Sequence, residues 1–145
     1  MNEDNIHLLQ ASFAEFARDG QESAGLFFER LFALDPALRP MFNEAELDVQ
    51  KTKLVASLGL IVNSLRDLSK VAPALEALAV RHVGYGVQDR HYKTVGTALI
   101  QAMVLFFGPK FSPETRQAWT EAYDLVSGIM MAAARRSQSG SAAAE

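Results

Sequence analysis

Apolar residues recur along most of the chain at steps of three and four, the spacing that places side chains on one face of an α-helix. The first such stripe consists of Ile6, Leu9, Phe13 and Phe16. The same spacing predicts further helices over 22–34, 47–66, 71–83, 88–107 and from Ser112 onward. No segment shows the two-residue alternation of a β-strand, so the pattern predicts an all-α fold.

Proline and glycine mark where these helices begin and end. Asp35-Pro36 predicts the start of a short helix, because Asp caps free N–H groups and Pro suits the first helical position. Ser112-Pro113 predicts a second start of this kind, and 43–47 reads as a polar bridge. We expect about seven helices, two of them short, and their unequal lengths argue against a regular up-down bundle.

One helix face ends in a histidine. Val71, Leu75, Leu78 and His82 share that face, and two glycines that follow within four residues should stop the helix. A core histidine bonded to a backbone carbonyl and a ligand histidine both fit this stretch, because His is intermediate in burial.

A second polar residue lies on an apolar stripe. Leu54, Leu58 and Ile61 form the stripe of the 47–66 helix, and one turn before Leu54 the same face carries Gln50. The alternative is a helix-end amide that points to solvent.

Composition narrows the class of protein. The chain has 145 residues, of which 49% are hydrophobic, and this suits one domain with a real core. The formal net charge of −3 offers no basic face, which argues against a nucleic-acid partner. The chain has no cysteine, so disulfides, iron–sulfur clusters and thiolate ligands are excluded.

The two ends of the chain are polar. The first ten residues, MNEDNIHLLQ, do not resemble a signal peptide, and no apolar run reaches the length of a membrane span. We therefore expect a cytoplasmic protein with no membrane contact. We expect residues 1–136 to form the folded domain and 137–145, SQSGSAAAE, to form a disordered tail.

The chemistry available to the chain is limited. The sequence contains no GxSxG, phosphate loop, HExxH or GxGxxG, and its three histidines, His7, His82 and His91, form no zinc-like cluster with other donors. An all-α pocket lined by Leu, Phe and Val with one imidazole suits a large, flat, apolar cofactor, and haem is such a cofactor.

Four stretches carry a resemblance to a known family: PMFN at 40–43, QKTKL at 50–54, RHVGYGVQDRHYKTVG at 81–96 and AWTEAYDLV at 118–126. Over about 6–135 the sequence resembles the bacterial single-domain globins. It looks most like the neuroglobin-like bacterial globins and the haem domains of flavohaemoglobins. The resemblance implies the globin fold around one haem b.

The family's residues carry over one by one. The resemblance implies that His82 is the iron ligand, that Phe42 packs on the haem, and that Gln50 is the distal polar residue. It places Leu54 above the iron and Phe28 at the distal position that is often tyrosine. The other residues implied to line the haem are Leu78, Val87, Tyr92 and Val95.

Two cations adjoin these positions. Lys53 lies three residues beyond Gln50, and Arg81 precedes His82, so both are predicted to lie near the haem propionates. The alternative is that they are solvated surface charges, because exposed ion pairs contribute only about 0–1 kcal/mol.

The function that the resemblance implies is reversible binding of oxygen, and also of CO and NO, at a five-coordinate ferrous iron, as in oxygen transport. The alternatives are a nitric oxide dioxygenase and a haem-based gas sensor. Two departures bear on the enzyme: Phe28 stands where dioxygenases usually have tyrosine, and Ala134 stands where they have a glutamate. The 145 residues include no reductase domain, so we expect any electrons to come from a separate reductase, and we assign no catalytic residue.

Overall fold

The computed structural model describes the backbone of residues 1–144 and the side chains of residues 1–138. This part of the chain is built of helices, as the apolar spacing predicts. Six are α-helices: α1 Glu3–Arg18, α2 Gly20–Leu34, α3 Leu47–Val62, α4 Ala72–Gly84, α5 Asp89–Phe107 and α6 Pro113–Ala144. Between them lie short 3₁₀ helices at Pro36–Met41, Glu44–Glu46, Leu68–Lys70 and Gly108–Lys110.

The predicted helix starts are confirmed by their caps. The Asp35 side chain accepts a hydrogen bond from the backbone N–H of Ala37, at 3.2 Å. The Ser112 hydroxyl accepts one from the N–H of Thr115, at 3.1 Å. These side chains satisfy N–H groups that the first turn of a helix leaves without partners.

Two segments around α3 differ from those expected. The polar bridge contains the 3₁₀ helix Glu44–Glu46, and its N-terminal cap is the side chain of Asn43. α3 ends at Val62 instead of residue 66, because the next N–H groups tighten into i→i+3 bonds such as Ser64 to Ile61. These differences shorten α3 without moving the face that carries Gln50 and Leu54.

The last helix is longer than we expected. α6 continues to Ala144, beyond residue 136, and the disordered tail at 137–145 stays a prediction. The run of alanines at 142–144 favours a helix, because Ala has the highest helix propensity. Glu145 and the side chains after residue 138 lie outside the described part. The division of the chain at residue 136 stays a prediction.

The buried side chains form two separate clusters. The main core is built mostly by α1, α2, α5 and the first half of α6, and its largest fully buried members include Leu9, Phe16 and Met103. The second core joins α4, and Val71 just before it, to the middle of α6 through Leu75 and Val126, among others. α4 therefore rests mainly on α6, in a core of its own.

A buried tryptophan ties the two ends of the main core together. Trp119 on α6 is almost completely buried, and its indole N–H donates to the Ser12 hydroxyl of α1 at 2.8 Å. The same hydroxyl donates to the carbonyl of Leu8, also on α1. The polar end of the tryptophan is thus satisfied inside the packing between α1 and α6.

Candidate functional site

His82 lies at the end of α4 and is half-buried. Leu75 and Ala79, on the preceding turns of the helix, are buried in the second core, and they hold this end of α4 in place. The apolar face of α4 thus ends in the half-buried imidazole of His82.

The two ring nitrogens of His82 have different surroundings. Nδ1 lies 2.7 Å from the carbonyl oxygen of Leu78, one turn earlier on α4. A carbonyl oxygen only accepts, so Nδ1 carries the proton in the neutral ring and Nε2 keeps its lone pair. Among the described residues, Nε2 has no hydrogen-bond partner. This arrangement is the one in which histidine binds a metal through Nε2.

The loop after His82 closes tightly on the helix end. The N–H groups of Tyr85, Gly86 and Val87 donate to carbonyls of the last turn, including two bonds to the carbonyl of His82. Gly86 has a φ of +87°, a left-handed conformation that glycine adopts without strain. The loop therefore fixes the backbone around His82 on both sides.

A set of apolar side chains near the junction of the two cores is only half-buried. They come from α3, α4, α5 and the connecting segments, and they include most of the residues that the resemblance places around a haem. The set is Phe42, Leu54, Leu58, Leu78, Val87, Tyr92 and Val95. Phe42, Leu54, Leu58 and Val95 pack against the main core, and Leu78 and Tyr92 pack against the second core. We call this half-buried apolar set the cradle.

The α2 side of this cradle is aromatic. Phe28 is buried, and its ring packs edge-on against Phe42 with the centroids 5.4 Å apart. Phe32 contacts Phe42 in the same way, at 5.5 Å. Phe28 and its two aromatic neighbours offer no hydrogen-bond donor.

Gln50 is half-buried on α3, one turn before Leu54. Within residues 1–138, its amide makes no hydrogen bond to another protein group. The structure therefore leaves the amide N–H groups available to a ligand or to water, and the role of Gln50 as the distal residue stays a prediction.

Lys53 and Arg81 are both exposed, and neither forms an ion pair with a described side chain. Their placement at the propionate edge stays a prediction.

Tyr92 is half-buried against the second core. Burial, with a smaller contribution from the Asp89 carboxylate, raises the pKa of its phenol, so the hydroxyl is neutral at physiological pH. The backbone carbonyl of Tyr92 accepts a short hydrogen bond from the Tyr123 hydroxyl on α6. Ala134 is buried on α6, so the position of the family's glutamate provides no carboxylate.

The pattern of the sequence did not single out Tyr123 or Tyr85. The Tyr85 ring lies edge-on to His82, with centroids 6.4 Å apart, at a position that read as part of a loop. A Cβ on Gly96 would lie 2.9 Å from Cε1 of Tyr123, so α5 and α6 meet at a glycine. A glycine inside a helical pattern was the available signal for this close approach.

The chain matches the globin family profile over residues 25–130. It is 30% identical over 128 residues to a flavohemoprotein of Xylella fastidiosa. The aligned region covers 86% of this chain and 32% of the relative. A flavohemoprotein of Bacillus subtilis is 24% identical over 123 residues, or 83% of this chain and 31% of the relative. The chain thus spans about a third of the length of these relatives.

Solved structures agree with this fold. A bacterial globin from Campylobacter jejuni superposes with a TM-score of 0.85 at 21% identity, covering 93% of this chain and 97% of the other. An engineered carbene transferase from Rhodothermus marinus, named as a candidate nitric oxide dioxygenase, superposes with a TM-score of 0.84 at 26% identity, covering 100% and 99%. The chain therefore belongs to the globin family, and its fold is the globin fold, which packs helices around a haem pocket.

Among the described residues, no group of three or more His, Cys, Asp or Glu side chains could hold a metal ion. No helix in this part combines the length and the apolar character that crossing a bilayer requires.

Proposed function

We propose that this globin binds haem b through His82 and binds a diatomic gas, oxygen first, on the side that faces Gln50. The observation that supports this best is the state of His82, with Nδ1 bonded to Leu78 and Nε2 without a partner among the described residues. No buried side-chain nitrogen among the described residues lacks a partner, so Nε2 of the half-buried His82 is accessible to a ligand. The half-buried cradle of Phe42, Leu54 and Val95 fits the face of a haem.

Different residues of the chain would hold the haem and line the gas-binding side. Haem, when bound, would supply an iron able to bind a diatomic gas. The Leu78 carbonyl holds the His82 ring in one orientation, with Nε2 as the unprotonated donor. Phe42 and Phe28 exclude water from the gas side, and Gln50 is the nearby side chain that offers an N–H to a polar ligand.

The purified protein tests this proposal directly. Absorption spectra of its ferric, ferrous and ferrous–CO forms should show a Soret band and a five-coordinate ferrous state that takes up CO without losing an internal ligand. A chain that binds no haem, as in a globin retained for signalling alone, would show no Soret band. A low-spin ferrous spectrum before gas is added would contradict the open site.

A nitric oxide dioxygenase that uses a separate reductase is the second candidate. The identity to flavohemoproteins and the likeness to a candidate nitric oxide dioxygenase favour it. Phe28 and Ala134 oppose it, because neither can supply a hydrogen bond. Multiple turnovers of NO by the protein with an added reductase would support the enzyme, and a single turnover would support gas binding.

Exchange of Gln50 for leucine should speed oxygen release. If one net hydrogen bond of about 1 kcal/mol is lost, the dissociation rate should rise roughly five- to tenfold. Stopped-flow displacement of oxygen by CO measures this rate. Gln117→Leu, an exposed exchange on α6, is the matched control and should leave the rate unchanged. An unaltered rate in Gln50→Leu would show that the amide points to solvent.

Exchange of Phe28 for tyrosine should slow oxygen release, by roughly fivefold if the new hydroxyl makes one hydrogen bond to the gas. Phe28 faces Phe42, so the added hydroxyl reaches the aromatic wall of the cradle. Phe27→Tyr makes the same chemical change one residue earlier on α2 and should not slow release. Equal rates in the two variants would remove Phe28 from the gas-binding side.

A further inference from the structure

A second opening lies between α2 and α3, on the outer side of Phe28. It is a cleft of about 380 Å³ whose apolar floor consists of Phe28, Phe32 and Leu47. Phe28 is buried and also contacts Phe42, so this side chain both lines the cleft and touches a residue of the cradle.

Lys51 lies across the mouth of this cleft. Only 20% of its side chain is exposed, and a Cβ on Gly25 of α2 would lie 3.9 Å from both Cε and Nζ of the lysine. The aliphatic stem thus spans the gap between the two helices, and glycine leaves room for it. Gln50 precedes Lys51 on α3, so the residue over the cleft adjoins the predicted distal residue.

The contact that holds Lys51 in place is weak. Its ammonium lies 3.4 Å from the carboxylate of Asp48, whose side chain is 85% exposed. A pair whose carboxylate is this exposed contributes little, so the position of Lys51 depends mainly on the packing of its stem. A change of side-chain rotamer would move Lys51 off the mouth without any movement of the helices.

Both cations that line the cleft are already paired, and the exposed Glu29 carboxylate also lines it. The Arg39 guanidinium sits 4.9 Å above the Phe32 ring and 3.5 Å from the Glu44 carboxylate, and Lys51 is paired with Asp48. An anionic ligand would have to displace these carboxylates. The aromatic floor instead suits a small apolar molecule, because apolar cavities in proteins take up gases such as xenon.

We propose that this cleft is a gas port gated by Lys51, through which a diatomic ligand passes Phe28 to the Gln50 side of the site. The proposal rests on the proposed function, since it needs a gas to be bound there. A port changes the rates of entry and exit by one common factor and leaves the binding equilibrium unchanged. A residue that touches the bound gas changes the equilibrium.

The kinetic test uses the haem-loaded protein and CO, with association measured after flash photolysis and dissociation by displacement with NO. Lys51→Ala should raise both rates by the same factor, about threefold if the mouth is closed most of the time. Gly25→Leu fills the cleft and should lower both rates by a common factor of about five, whereas Gly25→Ala should lower them little. Lys110→Ala, an exposed lysine in the 3₁₀ helix after α5, should change neither rate.

Lys51→Met distinguishes the effect of the apolar stem from the effect of the ammonium group. It keeps the apolar stem but not the contact with Asp48, so its rates should lie between those of the wild type and Lys51→Ala. Unchanged CO rates in both Gly25→Leu and Lys51→Ala would overturn the port. A change in dissociation alone would also overturn it, since Lys51 would then act on the bound gas.

Binding of xenon in the cleft can be measured without haem, by the shifts of methyl NMR signals as xenon is added. The Leu47 methyl signals should shift with xenon in the wild type, more strongly in Lys51→Ala and not at all in Gly25→Leu. Absence of a Leu47 shift in Lys51→Ala would overturn the port even if haem binds. Absence of a Soret band with a normal xenon response would instead count against the proposed function and not against the cleft.

Discussion

Replacement of His82 by alanine is expected to lower the affinity for haem more than about 100-fold, since even the partners of metal-ligating histidines are worth 10- to 100-fold. Nε2 of His82 has no other partner among the described residues, so the exchange removes a ligand and no internal contact of that nitrogen. The loss is measured as the rate at which haem passes to a scavenging apoprotein. A normal ferrous spectrum in His82→Ala would show that another residue binds the iron.

Two controls separate loss of the ligand from loss of the fold. His7→Ala removes an exposed imidazole from α1 and should retain haem like the wild type. Free imidazole added to His82→Ala should restore much of the Soret band, because the cradle of half-buried apolar side chains remains. Failure of imidazole together with unchanged circular dichroism would contradict the assignment of the cradle.

Replacement of Trp119 by alanine is expected to lower the free energy of unfolding by about 3–5 kcal/mol, as for other large-to-small changes in cores. Trp119 is almost completely buried between α1 and α6, so the exchange leaves a large cavity in the main core. A loss of this size is a large share of the roughly 5–15 kcal/mol of an ordinary domain. Urea unfolding followed by circular dichroism measures it.

Matched exchanges divide the contribution of the ring from that of its hydrogen bond. Ser12→Ala leaves the buried indole N–H without its acceptor and should cost about 1–3 kcal/mol. Trp119→Phe keeps most of the apolar contact, so its cost should lie well below that of Trp119→Ala. Equal costs for the phenylalanine and alanine variants would mean that packing at Trp119 contributes little.

The regular helix faces could be predicted from the sequence. The stripe from Val71 to His82 predicted the buried face of α4, since every member depends on spacing within one helix. The end of α3 could not be predicted, because the apolar spacing continues to Leu65 whereas the backbone changes to i→i+3 bonding after Val62. Local pattern therefore predicts which face is buried better than it predicts where the helix stops.

The site was predicted in part. Spacing placed His82 on an apolar face, but it could not show that Nδ1 bonds to Leu78 while Nε2 has no partner among the described residues. The roles of Gln50, Lys53 and Arg81 stay predictions, because they depend on a group that spacing does not reveal. The cleft beside Lys51 could not be predicted, since it depends on the distance between α2 and α3.

The separation of the two cores affects how a bound group enters and leaves the protein. α4 and the main core share few contacts, because α4 is held mainly by α6 through the small cluster around Leu75 and Val126. The free energy of opening α4 is then set by this small cluster and lies below that of global unfolding. The helix that carries His82 can detach while the main core stays folded, so exchange of a bound group follows the local opening of one helix.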